Sequence, residues 1–208
     1  MDNPSSALFR RLATVQVHLR RELDRRAPGP ILVISLCAGQ GRDLIEVLAD
    51  HTRREDVRAR LVELDPRNVA SAKASTSAAG LDGVEIVQAD AGVTDAYAGT
   101  VPADIILACG VFGNITGSDI ERTIKAFPTL CAAGASVIWT RNRLPPDLTP
   151  DIRTWFQEAG FHEESFSVAD GTVFGVGVHQ LVQNPRDFDS GYRLFNFVGY
   201  DQILGKPQ

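Results

Sequence analysis

Cysteine is scarce: Cys37, Cys109 and Cys131 are the only three, and none stands in a Cys-x-x-Cys pair or at a Cys/His ligand spacing. That excludes a disulfide scaffold and gives a metal no ligand set. No apolar run approaches the roughly 20 residues a membrane span requires. No repeat, low-complexity stretch or Pro/Ser-rich linker divides the chain. A basic excess is missing as well, the net charge being −5, so a phosphate backbone has no general attraction for this surface and nucleic acid is not an expected partner. Residues 1–60 carry +3 and the remainder −8, and the basic stretch reads first as a solvated helix face. Its arginines superficially suggest a transit peptide, but Asp2, Glu22 and Asp24 and the lack of a long apolar core argue against one. A reducing, cytoplasmic location is expected from the unpaired cysteines.

What is present is 208 residues of ordinary globular composition, enough for one domain that buries roughly 70% of its unfolded surface. Leu8, Leu12, Val15, Leu19 and Leu23 form one apolar stripe at helical spacing, opened by Asn3-Pro4 and stopped by Ala27-Pro28-Gly29-Pro30. Ile31-Leu32-Val33-Ile34 reads as a strand buried on both faces. Further strands are expected at 59–64, 84–88, 103–109, 134–140, 161–168 and 172–182. Helices follow Gly41 and Asp65-Pro66, and another opens at Ser118-Asp119-Ile120-Glu121, which has the form of a capping box. A last helix starts at Thr149-Pro150-Asp151.

Strands alternating with helices predict an α/β fold, a doubly wound, mostly parallel sheet of seven strands with helices on both faces. The last two strands, joined at Asp170-Gly171, must form an antiparallel hairpin. Six helical segments are expected. The chain divides into a lid-like N-terminal helix (1–27), a core (28–182) and a tail (183–208). Phe188, Tyr192, Phe195, Phe197 and Tyr200 give that tail five of the fifteen aromatic residues, so it must pack on something.

In such a sheet ligands bind outside the carboxyl ends of the strands, where the strand order reverses. Ser35-Leu36-Cys37-Ala38-Gly39-Gln40-Gly41 is the first candidate: its glycines let a ligand approach the backbone, and the helix after it offers free N–H groups. Arg42 and Asp43 open that helix, with surface and site roles equally open. Glu63, 22 residues beyond Gly41, ends the second strand, where a carboxylate can take both hydroxyls of a ribose. Asp65 beside it reads as a helix cap. Asp90 ends the third strand and can accept from an adenine amine. A dinucleotide fingerprint would need a third glycine where Leu44 stands, so an NAD-dependent oxidoreductase is the weaker reading.

With these residues the chain, over 28–182, resembles the class I S-adenosylmethionine (SAM)-dependent methyltransferases, whose first strand ends in acid-x-Gly-x-Gly-x-Gly. Gly39 and Gly41 match the last two glycines; Cys37 replaces the first, and Ser35 replaces the acid. The resemblance implies SAM as cofactor, held by Ser35, Cys37, Ala38, Gly39, Gly41, Glu63, Leu64, Asp90, Ala91 and Cys109. It implies in-line methyl transfer to a small-molecule acceptor met near Phe112 and Asn114. No catalytic base is evident; His18 and Asn114 are the candidates. The Asp/Asn-Pro-Pro-aromatic run of enzymes acting on base amines is missing. A SAM-binding regulatory or structural subunit without catalysis is the alternative, and either the N-terminal helix or the tail offers a homodimer contact.

Overall fold

The computed structural model describes residues 6–199. Asn3-Pro4 and Tyr200 lie outside the described residues; the first helix, α1 (Ala7–Asp24), is capped by the Ser6 hydroxyl, which accepts from the Phe9 N–H. Seven strands follow: β1 (Ile31–Leu36), β2 (Val57–Glu63), β3 (Val84–Gln88), β4 (Ala103–Ala108), β5 (Cys131–Asn142), β6 (Phe161–Val168) and β7 (Phe174–Leu181). Between them run α2 (Arg42–Leu48), α3 (Pro66–Ala78), α4 (Gly117–Ala126) and α5 (Thr149–Glu158).

Where six helical segments are expected, the described residues form five α-helices and three short 3-10 turns. One of them, Thr94–Tyr97, occupies the connection between β3 and β4. The strands form one sheet in the order β3-β2-β1-β4-β5-β7-β6. β1 pairs in parallel with β2 and with β4, so the order reverses beside β1. β7 runs antiparallel to β5 and to β6, as the tight turn at Gly171 requires.

Alternation along the strands sends side chains to two cores. Ile34, Leu36, Ile106 and Ala108 pack under α4 and α5, while Val33, Ile105 and Leu107 pack under α1, α2 and α3. The apolar stripe of α1 divides in use. Val15, Leu19 and Leu23 are buried against the sheet, and the end of the helix is fastened by Arg26, whose guanidinium donates to the Gly134 and Asp104 carbonyls and to Ser136. Leu8, at the other end, is 45% exposed.

Helix α4 is capped differently from the sequence expectation. Thr116, not Ser118, is the cap residue, and its hydroxyl accepts from the Asp119 N–H at 3.2 Å. This frees the Asp119 carboxylate for Arg122 (2.5 Å) and for the Asn196 N–H in the tail (3.0 Å). Under the hairpin, Trp139 donates its indole N–H to His179 Nδ1 at 3.1 Å, and Gly177 leaves the space the indole occupies. His179 is a core residue.

Candidate functional site

Three strand ends build the site. After β1 the chain turns through Cys37 and Gly39 to Gly41, which caps α2 in a left-handed conformation (φ 70°). A Cβ at Gly41 would stand 2.6 Å from Leu61 and 2.8 Å from Ile45, so that glycine lets α2 lie close on the sheet. At Gly39 (φ 58°) a Cβ would meet nothing within 4 Å, because the residue borders open space. Cys37 is the only non-glycine at positive φ (48°) among the described residues. A left-handed backbone costs an L-residue roughly 1–2 kcal/mol. The turn keeps the geometry of a glycine where the sequence has a cysteine. Burial, with Glu63 and Asp90 adding, pushes the Cys37 thiol up to about 12, so it is no nucleophile at neutral pH.

At the end of β2 the Glu63 carboxylate gathers three backbone donors: Gly39 N–H at 2.7 Å, Leu64 N–H at 2.9 Å and Asp65 N–H at 2.8 Å. It ties the glycine turn to the neighbouring strand end. Asp65 caps α3, accepting from the Arg67 N–H at 2.9 Å and from its guanidinium at 2.7 Å, and these bonds hold its carboxyl down at about 2. Asp65 is thus the helix cap that the sequence reading expects. At the end of β3, Asp90 accepts from the Gly92 N–H at 2.8 Å and pairs with Arg193 of the tail at 2.5 Å.

These strand ends open on one cavity of about 980 Å³. Cys37, Ala38, Gly39, Glu63, Leu64, Asp90, Ala91 and Cys109 line it, eight of the ten residues expected at a cofactor site. Ser35 and Gly41 do not: Ser35 is buried in the sheet between Leu61 of β2 and Leu107 of β4. The residues expected at an acceptor are also elsewhere. Phe112 is fully buried, its ring 6.0 Å from that of Trp139, because the turn after β4 points it into the core. Asn114 donates its amide to the Gly110 carbonyl at 2.6 Å, which closes that turn. His18 lies further along α1, beyond the part that borders the cavity, and burial lowers its pKa. No histidine lines the cavity among the described residues.

Two walls come from the ends of the chain. From α1, Leu8, Phe9, Arg11, Leu12 and Val15 overhang the opening. The tail returns across the carboxyl end of the sheet and adds Phe195 and Phe197. It is fixed by backbone bonds: Leu194 N–H to the Gly92 carbonyl at 2.8 Å, and Thr94 N–H to the Tyr192 carbonyl at 3.0 Å. The rings of the tail signalled that it packs; the walls it forms carried no other signal. Asp43, in the first turn of α2, also faces the cavity while nine-tenths buried, and burial raises its carboxyl to about 6.

No protein-family model and no curated protein matches this chain by sequence. Solved structures do match by shape. A protein described as possibly exported from Bordetella parapertussis aligns with 86% of this chain and 68% of its own at 16% identity, with a TM-score of 0.66. An O-methyltransferase family protein from Burkholderia thailandensis aligns with 87% of this chain at 19% identity and a TM-score of 0.63, and this chain spans 58% of it. Magnesium protoporphyrin IX methyltransferase from Synechocystis PCC 6803, with bound SAM, aligns over 82% of this chain and 78% of its own at 13% identity and a TM-score of 0.64. The protein has the Rossmann-like fold of the class I SAM-dependent methyltransferases. No helix of the described residues is long and apolar enough to cross a membrane.

Proposed function

We propose that the protein is a SAM-dependent methyltransferase that transfers a methyl group in line to a small-molecule acceptor. One observation carries this reading: an open glycine turn, a second-strand acid and a third-strand acid line one cavity at the reversal of strand order. Glu63 is the ribose ligand, Asp90 meets the adenine side, and Cys37, Ala38, Gly39, Leu64, Ala91 and Cys109 complete the contact surface. Leu44, where a dinucleotide site would have its third glycine, is packed in the core, which weighs against NAD.

Single-ligand pockets run to roughly 300–1,000 Å³, so a cavity of about 980 Å³ has room for cofactor and a small acceptor together. Leu8, Phe9, Leu12, Phe195 and Phe197 supply an apolar, ring-lined acceptor side. A sulfonium needs no further activation, and holding the acceptor in line with the C–S bond supplies most of the rate. That suits a cavity with no histidine among its described lining residues. The three cysteines are free thiols, which supports a reducing compartment such as the cytoplasm. A homodimer through α1 would use its outer face, where Val17 is 67% exposed; light scattering after size exclusion measures it.

Calorimetric titration with SAM and S-adenosylhomocysteine tests the cofactor. Micromolar binding is expected, and no heat at millimolar ligand overturns the reading. Glu63→Ala removes an acceptor from three N–H groups and should weaken SAM at least tenfold. Methyl transfer from labelled SAM to a library of small aromatic acceptors separates an enzyme from a SAM-binding subunit that turns nothing over.

A further inference from the structure

Four carboxylates line the cavity, and three of them are engaged. Glu63 holds three backbone N–H groups, Asp65 its helix cap and Arg67, Asp90 the Gly92 N–H and Arg193. Asp43 differs from all three. It is nine-tenths buried, its carboxylate accepts from the Leu44 N–H at 3.0 Å and from its own backbone N–H, and no side-chain donor among the described residues reaches it. A buried carboxylate without a charged partner is costly, and a purely structural acid would be paired. Ser35, the position from which the resemblance expects an acid, is buried in the sheet away from the cavity.

On the opposite wall Arg11 lines the same cavity from α1. Its guanidinium lies over the Phe174 ring, 5.3 Å from the centroid, and it pairs with no carboxylate among the described residues. Asp43 and Arg11 nevertheless feel each other's charge, and the Cys109 thiol between β4 and the cavity feels both. A negative and a positive group therefore face one space without closing on each other. The nucleoside acids, Glu63 and Asp90, stand at the ends of β2 and β3; Asp43, Arg11 and Cys109 stand on the β4 side of the glycine turn.

We propose that Asp43 and Arg11 are the two halves of a clamp for a zwitterionic α-amino-acid group, Asp43 taking the ammonium and Arg11 the carboxylate. The proposal rests on the SAM reading of the cavity and assigns the methionine end of that ligand to these two side chains. It makes α1 part of the cofactor site: the helix closes on the amino-acid end of the cofactor as well as over the acceptor.

Two ligands separate the clamp from the rest of the site. S-adenosylhomocysteine carries the amino-acid end, and methylthioadenosine lacks it while keeping the nucleoside and the thioether. In calorimetric titrations, Asp43→Asn and Arg11→Gln should each weaken S-adenosylhomocysteine by roughly 30-fold or more, the usual cost of truncating one partner of a buried charge pair. Methylthioadenosine affinity should stay within about twofold of the unaltered protein, which also shows that the variants fold. S-adenosylhomocysteine lacking its α-amino group should lose affinity for the unaltered protein and lose nothing more in Asp43→Asn. Unchanged S-adenosylhomocysteine binding in the variants overturns the clamp. So does an equal loss for both ligands. An unaltered protein that binds neither ligand overturns the cofactor reading itself, and the clamp with it.

Discussion

Asp43 shows how a single residue can be tuned against its own fold. Its carboxyl, ordinarily at 3.8, is raised to about 6, first by burial, with Glu46 adding, while the Leu44 N–H and Arg11 oppose the rise. Between those values the folded protein binds the proton more tightly than the unfolded chain, so the group favours folding below about pH 4 and loses that contribution as pH rises through 6. A shift of this size corresponds to about 3 kcal/mol. Asp43→Asn should therefore stabilise the ligand-free protein at pH 7.5 by about 2 kcal/mol in urea unfolding, an outcome usual for residues kept for binding rather than stability. A destabilised variant would show that Asp43 has a partner in the fold. The cysteines behave oppositely. Burial pushes Cys37 to about 12 and raises Cys109 and Cys131 as well, so iodoacetamide should label none of them in the native protein and all three in denaturant. Glu63 and Asp90 were legible as cavity candidates because they stand at or just beyond strand ends; for Asp43 the sequence left surface and site roles equally open, since burial on the cavity side has no local signature.

At the level of elements, strands β3 and β6 and the start of α5 follow their sequence expectations, because the β-branched residues of β3, the Gly160 stop ahead of β6 and the proline in the first turn of α5 are local signals. The cap of α4 does not: a Ser-x-x-Glu pattern lost to Thr116, because Asp119 is needed by Arg122 and by the tail. The tail is the element least visible in advance. Its rings promised packing, yet its path is set by main-chain bonds to Gly92 and Thr94, which any sequence can make. Gly92 is the exception with a readable requirement, for a Cβ there would stand 2.3 Å from the Phe195 carbonyl oxygen. Gly92→Ala should push the tail off the cavity. Trypsin should then cut at Arg193 faster than in the unaltered protein, with the circular dichroism of the sheet preserved. Asp90→Asn leaves Arg193 as the cleavage site and keeps an acceptor for the Gly92 N–H, removing only an exposed ion pair worth about 0–1 kcal/mol, and should change the cutting rate little.

For the whole molecule, two buried titrating groups set opposite slopes of stability against pH. Burial lowers His179 from 6.5 to about 4, and the neutral ring accepts from Trp139. Its contribution is present above pH 6.5 and is lost as pH falls toward 4, the reverse of Asp43. Between about pH 4 and 6 the two should nearly cancel, each being worth about 3 kcal/mol over its range. Urea midpoints of the unaltered protein are expected to vary little across that interval. Those of Asp43→Asn should climb with pH, and a flat profile in the variant would remove His179 as the counterweight.

The sequence by itself determined the order of elements, the parallel sheet with its terminal hairpin, and the acids that end β2 and β3. Each is written in the periodicity of neighbouring residues, which responds only to whether a position is buried and how far apart the buried positions are. Tertiary structure alone decided that Phe112 serves the core, that the Leu8 and Leu12 end of the lid-like helix is the part bordering the cavity, and that the tail runs back across the strand ends. It also decided which of four carboxylates is buried with only the N–H groups of its own turn as donors. Those outcomes depend on what arrives from across the fold, and charge pairing and close approach are settled only where distant segments meet.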